Sequence, residues 1–345
     1  MSGIGIAGLG SCLPRTVLSA AEIGALAGMP EAVVVEKMGL REKRIAGPDE
    51  HVSDMAAEAG RRALDNAAEQ MGEPLGPADL DGIIYCGSPH KEYPVWLAAP
   101  RIQQLLGADR AWAFEVGAVS AGVPFALRVA ADMMAADPAL KTILVVAASR
   151  ESHLIDYAVR DTRFIFNFGD GAAAAVLRRD ANRSEILRSA FLTEGGFNEH
   201  VRVRAGGSAL PASAETVSAG LHALEVHDFE AMKTGLDPIT LDRFVEVAGQ
   251  AARSSGWDDG RIDFLAVLHT KRSLHEAILD RLGLSADRSI YLDDIGHVSA
   301  ADPLFALERA AREGRLERGM RVVVLSAGTG YSWAATAIVW GGRDG

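Results

Sequence analysis

Short, continuous apolar runs recur along the chain, and glycine, proline or polar residues bound each of them. Apolar runs of this length, without alternation, are typical of strands that are buried on both faces of a sheet. We therefore expect a strand at each of the following runs: IGIAGLG from Ile4, LDGIIYCGS from Leu80, KTILVVAAS from Lys141, GAAAAVLRR from Gly171, SEILRSAFL from Ser184, IDFLAVLHT from Ile262, MRVVVLSAG from Met320 and SWAATAIVW from Ser332.

Longer amphipathic stretches lie between the runs, such as SDMAAEAGRRALDNAAEQM and LHEAILDRLGL, and their apolar residues have helical spacing. The alternation of strands and helices predicts an α/β fold with a mostly parallel sheet. Because the pattern occurs twice, we expect two pseudo-symmetric halves, residues 1–180 and 181–345, in a five-layer αβαβα sandwich. The active site is expected where the halves meet. The Gly-, Ser- and Ala-rich segment from Gly195 to Ala219 is expected to be a long loop at a substrate entrance.

The composition narrows the class of protein. The 345 residues are 48% hydrophobic and 23% charged, which fits a globular protein with a substantial core. The net charge of -11 argues against a nucleic-acid partner, and an acidic carrier protein would need a local basic patch on which to dock. Cys12 and Cys86 lie in or beside apolar runs, which argues against a disulfide framework. With no leader-like start and no apolar run near about 20 residues, we expect a soluble cytoplasmic protein without a membrane partner.

The stretch FEVGAVSAGVPFAL surrounds one hydroxyl, that of Ser120, with small residues. It follows the strand-like AWAFEV and precedes a predicted helix from Ala121 to Met134. A serine at the N-terminus of a buried helix is either a helix N-cap or a nucleophile that gains from the helix dipole and free backbone N–H groups. The stretch alone leaves both interpretations open.

Two histidines lie at positions where catalytic or ligand-binding residues are expected. His269, in LAVLHTKR, ends a predicted buried strand, where α/β folds place ligand and catalytic groups, although a lone histidine there also serves a structural role. His297, in DDIGHVSAADP, precedes a predicted helix, and Asp302 follows five residues later. A carboxylate can orient an imidazole so that its other nitrogen accepts a proton, but Asp302 would also suit the first turn of the helix.

Serine, histidine and aspartate together make a nucleophile, a base and an orienting group. The glycine-rich turn SAGTGYSW is a candidate source of backbone N–H groups for an oxyanion. His269, His275 and His297 do not form a spaced ligand set with the cysteines, so no metal is expected.

Several motifs resemble those of the thiolase-fold condensing enzymes, and 3-oxoacyl-acyl-carrier-protein synthase III is the nearest group. They are FGDGAAAAVL (168–177), LHTKR, GHVSAADP and SAGTGYSW, and LPRTVLSAAEI, MGLREKRI and SDMAAEAGRRAL extend the resemblance over essentially the whole chain. The resemblance implies a thiolase-like five-layer sandwich, an acyl-carrier protein as partner, and acyl-coenzyme A or acyl-carrier protein as substrate, with no bound prosthetic group. It also implies a homodimer, and we expect the apolar strand KTILVVAAS to extend a sheet across the two-fold axis.

The chain departs from this family's pattern at its reactive positions. Ser120 stands where the family has the nucleophilic cysteine of D-x-x-A-A-C-A-G. His269 matches the histidine of H-Q-A-N, although Thr, Lys and Arg follow it at 270–272. His297 replaces the asparagine of G-N-x-S-A-A, so the family's triad becomes serine, histidine and histidine.

Two positions concern coenzyme A. Val33 aligns with a tryptophan that, in the family, stacks on the adenine, so one aromatic contact is expected to be lost. Lys37 keeps a positive charge where the family has an arginine, and the resemblance implies that it contacts the cofactor.

The departures favour acyl transfer over carbon–carbon bond formation. Decarboxylative condensation uses the histidine and the asparagine as two donors to an enolate, and here the asparagine is missing. The pattern is similar to the acyltransferase branch of bacterial polyketide pathways, in which starter-unit proteins of the daunorubicin type have serine at this position.

The main hypothesis is an acyltransferase with an acyl-serine intermediate, whose acceptor is a carrier protein or a natural-product hydroxyl. Ser120 attacks a thioester, His297 takes the proton and Asp302 holds the imidazole. The N–H groups of Ser120 and Gly330 hold the oxyanion, and His269 assists binding or the second half-reaction. Two alternatives stay open: a starter-unit condensing enzyme that uses serine, and a non-catalytic partner subunit.

Overall fold

The computed structural model describes residues 3–179 and 184–342. The strands are β1 Ile4–Cys12, β2 Thr16–Ser19, β3 Glu42–Ile45, β4 Gly82–Tyr85, β5 Trp112–Glu115, β6 Thr142–Ser149, β7 Gly171–Arg179, β8 Glu185–Thr193, β9 Val201–Val203, β10 Leu224–Val226, β11 Phe264–Val267, β12 Arg321–Gly328 and β13 Ser332–Val339. The α-helices are α1 Ala20–Ala27, α2 Glu31–Val33 (continued by a π-helical turn, Val34–Met38), α3 Val52–Met71, α4 Ala98–Leu106, α5 Gly122–Ala136, α6 Ala214–Ser218, α7 Phe229–Gly235, α8 Asp237–Ser254, α9 Arg272–Arg281 and α10 Asp302–Arg312. Short 3₁₀ turns lie at Pro77–Asp79, Val119–Ala121, Glu151–Leu154, Arg160–Ile165, Gly195–Phe197, Ala286–Arg288 and Ser299–Ala301.

Every apolar run that predicted a strand forms one, and these eight strands join β5 in a sheet of order β11-β12-β13-β8-β1-β7-β6-β4-β5. The expectation of a mostly parallel sheet is wrong. Only the pairs β11/β12, β4/β6 and β4/β5 are parallel, and the other neighbours run antiparallel. One cause is visible between β12 and β13, where a connection of residues 329–331 is too short for the crossover that parallel strands need.

The strand order repeats between the first and second parts of the chain. β1, β7, β6 and β4 are neighbours in that order, and β8, β13, β12 and β11 repeat the same order and the same relative directions. The pairing of Gly5 with Glu185 joins the two half-sheets. The predicted boundary between residues 180 and 181 lies outside the described residues.

Helices form three layers around the half-sheets. α3 packs on β1, β6 and β7, and α8 packs on β8, β12 and β13. Between the half-sheets lie α5, which contacts β6, β8, β12 and β13, and α10, which contacts β1, β7 and β11. The five-layer α/β sandwich that the sequence predicts is therefore confirmed.

The helix α5 and the turn before it form a strongly apolar stretch. Residues 119–136 have a mean hydropathy of 1.3, and by length and composition alone this 18-residue stretch could cross a membrane. Its length is near that of a membrane span, about 20 residues, contrary to expectation, although Arg128 and Asp132 interrupt the apolar residues. Because the helix is enclosed between the half-sheets, its hydropathy is explained by its place in the core.

The segment from Gly195 to Ala219 is not one long loop, contrary to expectation. It contains β9, which pairs with β10, and the helix α6. The hydroxyl of Ser213 accepts a hydrogen bond from the Thr216 N–H, and the Thr216 hydroxyl accepts one from the Ser213 N–H, which starts α6. These local polar contacts give structure to a stretch in which apolar periodicity is weak.

The strand KTILVVAAS cannot extend the sheet across a two-fold axis, because it forms β6 and lies between β4 and β7. Of the two outer strands of the described sheet, β11 is partly covered by a bridge between Leu265 and Ser289. β5 has no such cover in the part of the chain that the structure describes. Large apolar side chains of Tyr93, Val95 and Leu97 are exposed in the segment that leads to α4, which packs on β5.

We expect a homodimer that pairs through β5, with a mass by light scattering of about twice the 36.5 kDa of the chain. The N–H groups of Trp112 and Val116 donate to the β4 side, so the N–H of Ala113 faces outward. Ala113→Pro should therefore give a folded monomer, whereas Ala113→Gly, which keeps the N–H, should stay dimeric. A monomeric wild-type protein would contradict the homodimer, and a dimeric proline variant would contradict the role of β5.

Candidate active site

Ser120 lies in a strained turn between β5 and α5. The preceding Val119 has φ 46°, in the left-handed region that β-branched residues rarely adopt. Ser120 is 5% exposed, and the N-cap position of α5 is Ala121, which makes no side-chain cap. Ser120 therefore does not cap α5, and its hydroxyl faces the other half of the molecule.

A continuous hydrogen-bond chain starts at the Ser120 hydroxyl. Its Oγ lies 2.9 Å from Nε2 of His297, and Nδ1 of His297 lies 2.6 Å from Oδ2 of Asp302. An ionised carboxylate only accepts, so Nδ1 carries the proton and Nε2 of the neutral ring accepts from Ser120. The structure thus brings together the serine, the histidine and the aspartate that the sequence selected.

Asp302 combines the two roles that the sequence left open. It is the first residue of α10, as a dipole-stabilised acid would be, and it also orients His297. Its Oδ2 accepts from the backbone N–H of His269 at 2.8 Å, and its Oδ1 accepts from that of Val298 at 2.7 Å. The carboxylate is completely buried, and these three donors satisfy it.

The environment of His297 makes its imidazole a stronger base than that of an ordinary histidine. Burial alone would lower the pKa of His297, but the charge and hydrogen bond of Asp302, together with the charge of Glu151, outweigh burial and raise the pKa above its usual value. The backbone is held as well: its N–H donates to the Asn167 carbonyl at 2.8 Å, and its carbonyl accepts from Gly169 at 2.9 Å. The ring packs against Phe168 with 4.9 Å between centroids. This fixed imidazole can take a proton from Ser120.

His269 has a different environment from His297. Its Nε2–H donates to the carbonyl of Gly39 at 3.3 Å, and its Nδ1 accepts from the side-chain amide of Asn167 at 2.9 Å. Burial lowers the pKa of His269 to about 4, so the ring is neutral near pH 7. Among the hydrogen bonds of the described residues, its ring makes none with Ser120.

Sequence reasoning missed Asn167 and Lys43. Asn167 holds His297 through its backbone and His269 through its side chain. The buried side-chain nitrogen of Lys43 donates to the carbonyls on both sides of Asn167, those of Phe166 at 2.8 Å and Phe168 at 2.6 Å. The place of Asn167 directly before FGDG was a usable signal, whereas a lysine in a short strand gives no sign that it is buried.

The glycine-rich turn reaches the serine through Gly328. A Cβ at Gly328 would lie 2.3 Å from the Ala118 carbonyl and 3.1 Å from the Ser120 nitrogen, so only glycine fits this close approach. Two residues earlier in β12, Ser326 donates its hydroxyl to the Ser120 carbonyl at 2.5 Å. A Cβ at Gly330 would meet nothing within 4 Å, and the oxyanion role of Gly330 stays a prediction.

Val33 and Lys37, for which the resemblance implies a role in binding coenzyme A, lie on the surface. Val33 is 37% exposed and Lys37 is also exposed. Both precede Gly39, whose carbonyl contacts His269, so this segment leads from the surface to the buried histidine. Within residues 3–179 and 184–342, no three His, Cys, Asp or Glu side chains are grouped so that they could hold a metal ion.

Comparison with known proteins places the chain in a family. A β-ketoacyl-[acyl-carrier-protein] synthase III of Symbiobacterium thermophilum is 32% identical over 98% of both chains. The chain belongs to the 3-oxoacyl-[acyl-carrier-protein] synthase III family. Models described as 3-oxoacyl-[acyl-carrier-protein (ACP)] synthase III and as its C terminal match residues 114–195 and 252–340. The protein is thus an enzyme of the synthase III family, a transferase.

Two further proteins are similar to this chain over nearly its whole length. The β-ketoacyl-[acyl-carrier-protein] synthase III of Sphingopyxis alaskensis is 33% identical over 96% of this chain and 97% of its own. The crystal structure of the priming β-ketosynthase from the R1128 polyketide biosynthetic pathway is 26% identical, with a TM-score of 0.83 over 98% of this chain and 96% of that chain. These similarities confirm the thiolase-like fold.

We expect the pKa of His297 to depend on Asp302, which can be tested by ¹⁵N NMR of the imidazole nitrogens. In the wild type, His297 should titrate above the ordinary value of about 6.5, because the carboxylate stabilises the charged ring. In Asp302→Asn, burial is opposed only by the charge of Glu151, so the midpoint should fall below that of the wild type. His269 should stay neutral between about pH 6 and 8 in both proteins and serves as the internal control. An unchanged His297 midpoint would contradict the ion pair.

Proposed function

We propose that this protein is an acyltransferase that carries its acyl group as an ester on Ser120. The observation that supports this most is the hydrogen-bond chain from the Ser120 hydroxyl through His297 to Asp302, with distances of 2.9 and 2.6 Å. A serine hydroxyl is a weak nucleophile and needs an adjacent base that is itself oriented by a third group. The three side chains have this arrangement.

In the first half-reaction, the Ser120 oxygen attacks the carbonyl carbon of an acyl thioester as its proton moves to Nε2 of His297. Asp302 stabilises the imidazolium that forms. The tetrahedral intermediate then breaks its carbon–sulfur bond, and His297 returns the proton to the thiolate. The products are acyl-Ser120 and a free thiol. In the second half-reaction, His297 takes the proton of the acceptor, which attacks the ester, and Ser120 regains a proton as it leaves.

The oxyanion of each tetrahedral intermediate would be held by backbone N–H groups. We assign this role to the N–H groups of Ser120 and Gly330. The contact of Gly328 with the Ser120 backbone supports the assignment, because it brings the glycine-rich turn next to the nucleophile.

We assign His269 to binding or to the second half-reaction rather than to proton abstraction from Ser120. Its two ring nitrogens are engaged by Gly39 and Asn167, and burial keeps the ring neutral. His297 already occupies the position from which a base reaches Ser120.

The donor is an acyl-carrier protein or acyl-coenzyme A, and the acceptor is a carrier protein or the hydroxyl of a natural product. A polyketide context is supported by the similarity to a priming β-ketosynthase of the R1128 pathway. We propose a cytoplasmic enzyme, with Lys37 on the exposed segment that leads to Gly39 as the contact for coenzyme A.

A second candidate function is decarboxylative condensation with a serine nucleophile, favoured by the full-length relatives named β-ketoacyl-[acyl-carrier-protein] synthase III. This chemistry needs donors aimed at an enolate, yet the Nε2–H of His269 is directed to Gly39 and the other histidine is bound to Ser120. A β-ketoacyl product and carbon dioxide from malonyl-carrier protein would favour condensation. A non-catalytic partner subunit would form neither this product nor an acyl adduct.

We expect acyl-Ser120 to form when the pure protein is incubated with a panel of acyl thioesters, as measured by intact mass and peptide mapping. Ser120→Ala should abolish the adduct, because alanine has no oxygen to acylate. His297→Ala should slow acylation by about 10²- to 10⁴-fold through loss of the base, and Asp302→Asn should slow it through loss of the orienting charge.

His269→Ala is the discriminating variant in the same experiment. If His297 is the base, the loss of acylation rate at His269 should be smaller than that at His297. A larger loss at His269 would make His269 the base. Full acylation and transfer by Ser120→Ala would overturn the acyl-serine mechanism.

Free coenzyme A should bind weakly because Val33 offers no aromatic ring. Val33→Trp should restore a stacking contact of roughly 1 kcal/mol, or about fivefold in affinity, as measured by calorimetry with coenzyme A. Val33→Leu is the matched control, because it adds apolar volume without a ring and should change the affinity less. Equal or tighter binding by the wild type than by Val33→Trp would contradict the interpretation of this position.

A further inference from the structure

A second hydroxyl, that of Ser299, faces the Ser120 hydroxyl inside the site. Ser299 is completely buried, and its Oγ lies 3.4 Å from Oγ of Ser120. It belongs to the 3₁₀ turn Ser299–Ala301, between His297 and the start of α10. The mechanism described above does not use it.

The number of available protons determines whether Ser120 or Ser299 donates the hydrogen bond between their hydroxyls. The single Ser120 proton is directed to Nε2 of His297, whose Nδ1 proton is directed to Asp302. The only hydrogen left for the contact between the two serines is that of Ser299. Ser299 is therefore the donor, and a lone pair of the Ser120 oxygen is the acceptor.

The backbone holds Ser299 in an uncommon conformation for this contact. Its φ is 51°, in the left-handed region, and the Val119 φ of 46° places the residue before Ser120 in the same region. The 3₁₀ turns before α5 and α10 therefore have similar geometry and contact each other. Each turn carries one of the two serines, so that their hydroxyls face each other. Left-handed serine persists only where the surrounding structure imposes it.

We propose that Ser299 is a further catalytic residue, whose hydroxyl donates to Ser120 Oγ and stabilises the negative charge that develops there during acyl transfer. The inference rests on the proposed function and adds one donor to it. A distance of 3.4 Å is long for a neutral O–H···O bond, but hydrogen bonds to a charged oxygen are shorter and stronger. The contact should therefore tighten as the Ser120 proton leaves for His297, which makes it stronger in the transition state than in the resting enzyme.

The contribution differs between the steps of the reaction. As the Ser120–carbon bond forms, the Ser120 oxygen becomes an ester oxygen, which is a weak acceptor. When the acceptor later displaces the acyl group, the bond between carbon and the Ser120 oxygen breaks, and the leaving oxygen again carries charge until His297 protonates it. Ser299 keeps its own proton throughout, so the proton balance of both half-reactions is unchanged.

The test measures the rate of Ser120 acylation by rapid quenching and intact mass, with p-nitrophenyl acetate and acetyl-coenzyme A as probes. Ser299→Ala should slow acylation by about tenfold, the usual size for one hydrogen bond. The pH midpoint of the rate should stay at the wild-type value, because His297 and Asp302 are untouched. Ser289→Ala removes another buried hydroxyl, which is bonded to the Leu265 carbonyl, and should acylate at the wild-type rate.

Ser299→Gly separates the hydroxyl from backbone strain. Glycine adopts φ near 51° without a steric cost, so this variant should be folded at least as well as Ser299→Ala. If the hydroxyl acts on the reaction, glycine and alanine should slow acylation equally. Recovery of the wild-type rate in Ser299→Gly would show that strain, and not the hydroxyl, matters.

A Ser120→Cys background provides the chemical control. A thiolate forms more easily than an alkoxide and accepts hydrogen bonds weakly, so adding Ser299→Ala should cost clearly less there than in the serine enzyme. An equal loss in both backgrounds, a displaced pH midpoint, or wild-type rates in both Ser299 variants would overturn the role of Ser299. Failure of the wild type to acylate with every thioester of the panel, including acetyl-coenzyme A, would instead overturn the proposed function.

Discussion

The buried carboxylate of Asp302 is the constraint on which the rest of the site depends. It accepts hydrogen bonds from the His297 ring and from the backbone N–H groups of His269 and Val298. An unpaired carboxylate in this place would be strongly unfavourable, and the three donors and the N-terminus of α10 make its charge tolerable. The same contacts fix the end of β11 relative to the turn that carries His297. One acid therefore sets the relative positions of the two histidines.

The repeated fold explains how a serine from the first half meets this group from the second. α5 and α10 both lie between the half-sheets, and each follows a 3₁₀ turn that begins with a left-handed residue. The ends of the two helices thus bring Ser120 close to His297, although 177 positions separate them in the chain. Gly328 completes the approach, because any side chain there would overlap the backbone around Ser120.

The sequence predicted much of this arrangement, and its errors have physical causes. Continuous apolar runs predict the buried strands, and local motifs single out Ser120, His297 and Asp302. Strand direction was mispredicted because apolar runs record burial and not hydrogen-bond pattern. Asn167, Lys43 and the hydroxyl of Ser299 escaped because their roles depend on contacts between distant segments, which no local period records. The close approach of Gly328 to Ser120 escaped for the same reason.

His297 determines what this site can do more than Ser120 does alone. A serine without a base would be a weak nucleophile. Without the carboxylate of Asp302, burial would lower the pKa of His297, and the ring would lose the hydrogen bond that orients it. The site also contains the side-chain amide of Asn167, which is bound to the ring of His269. The donors that would stabilise an enolate are thereby occupied with each other and with Gly39. The group that contacts the Ser120 oxygen is the imidazole of His297, a base that suits the activation of a hydroxyl.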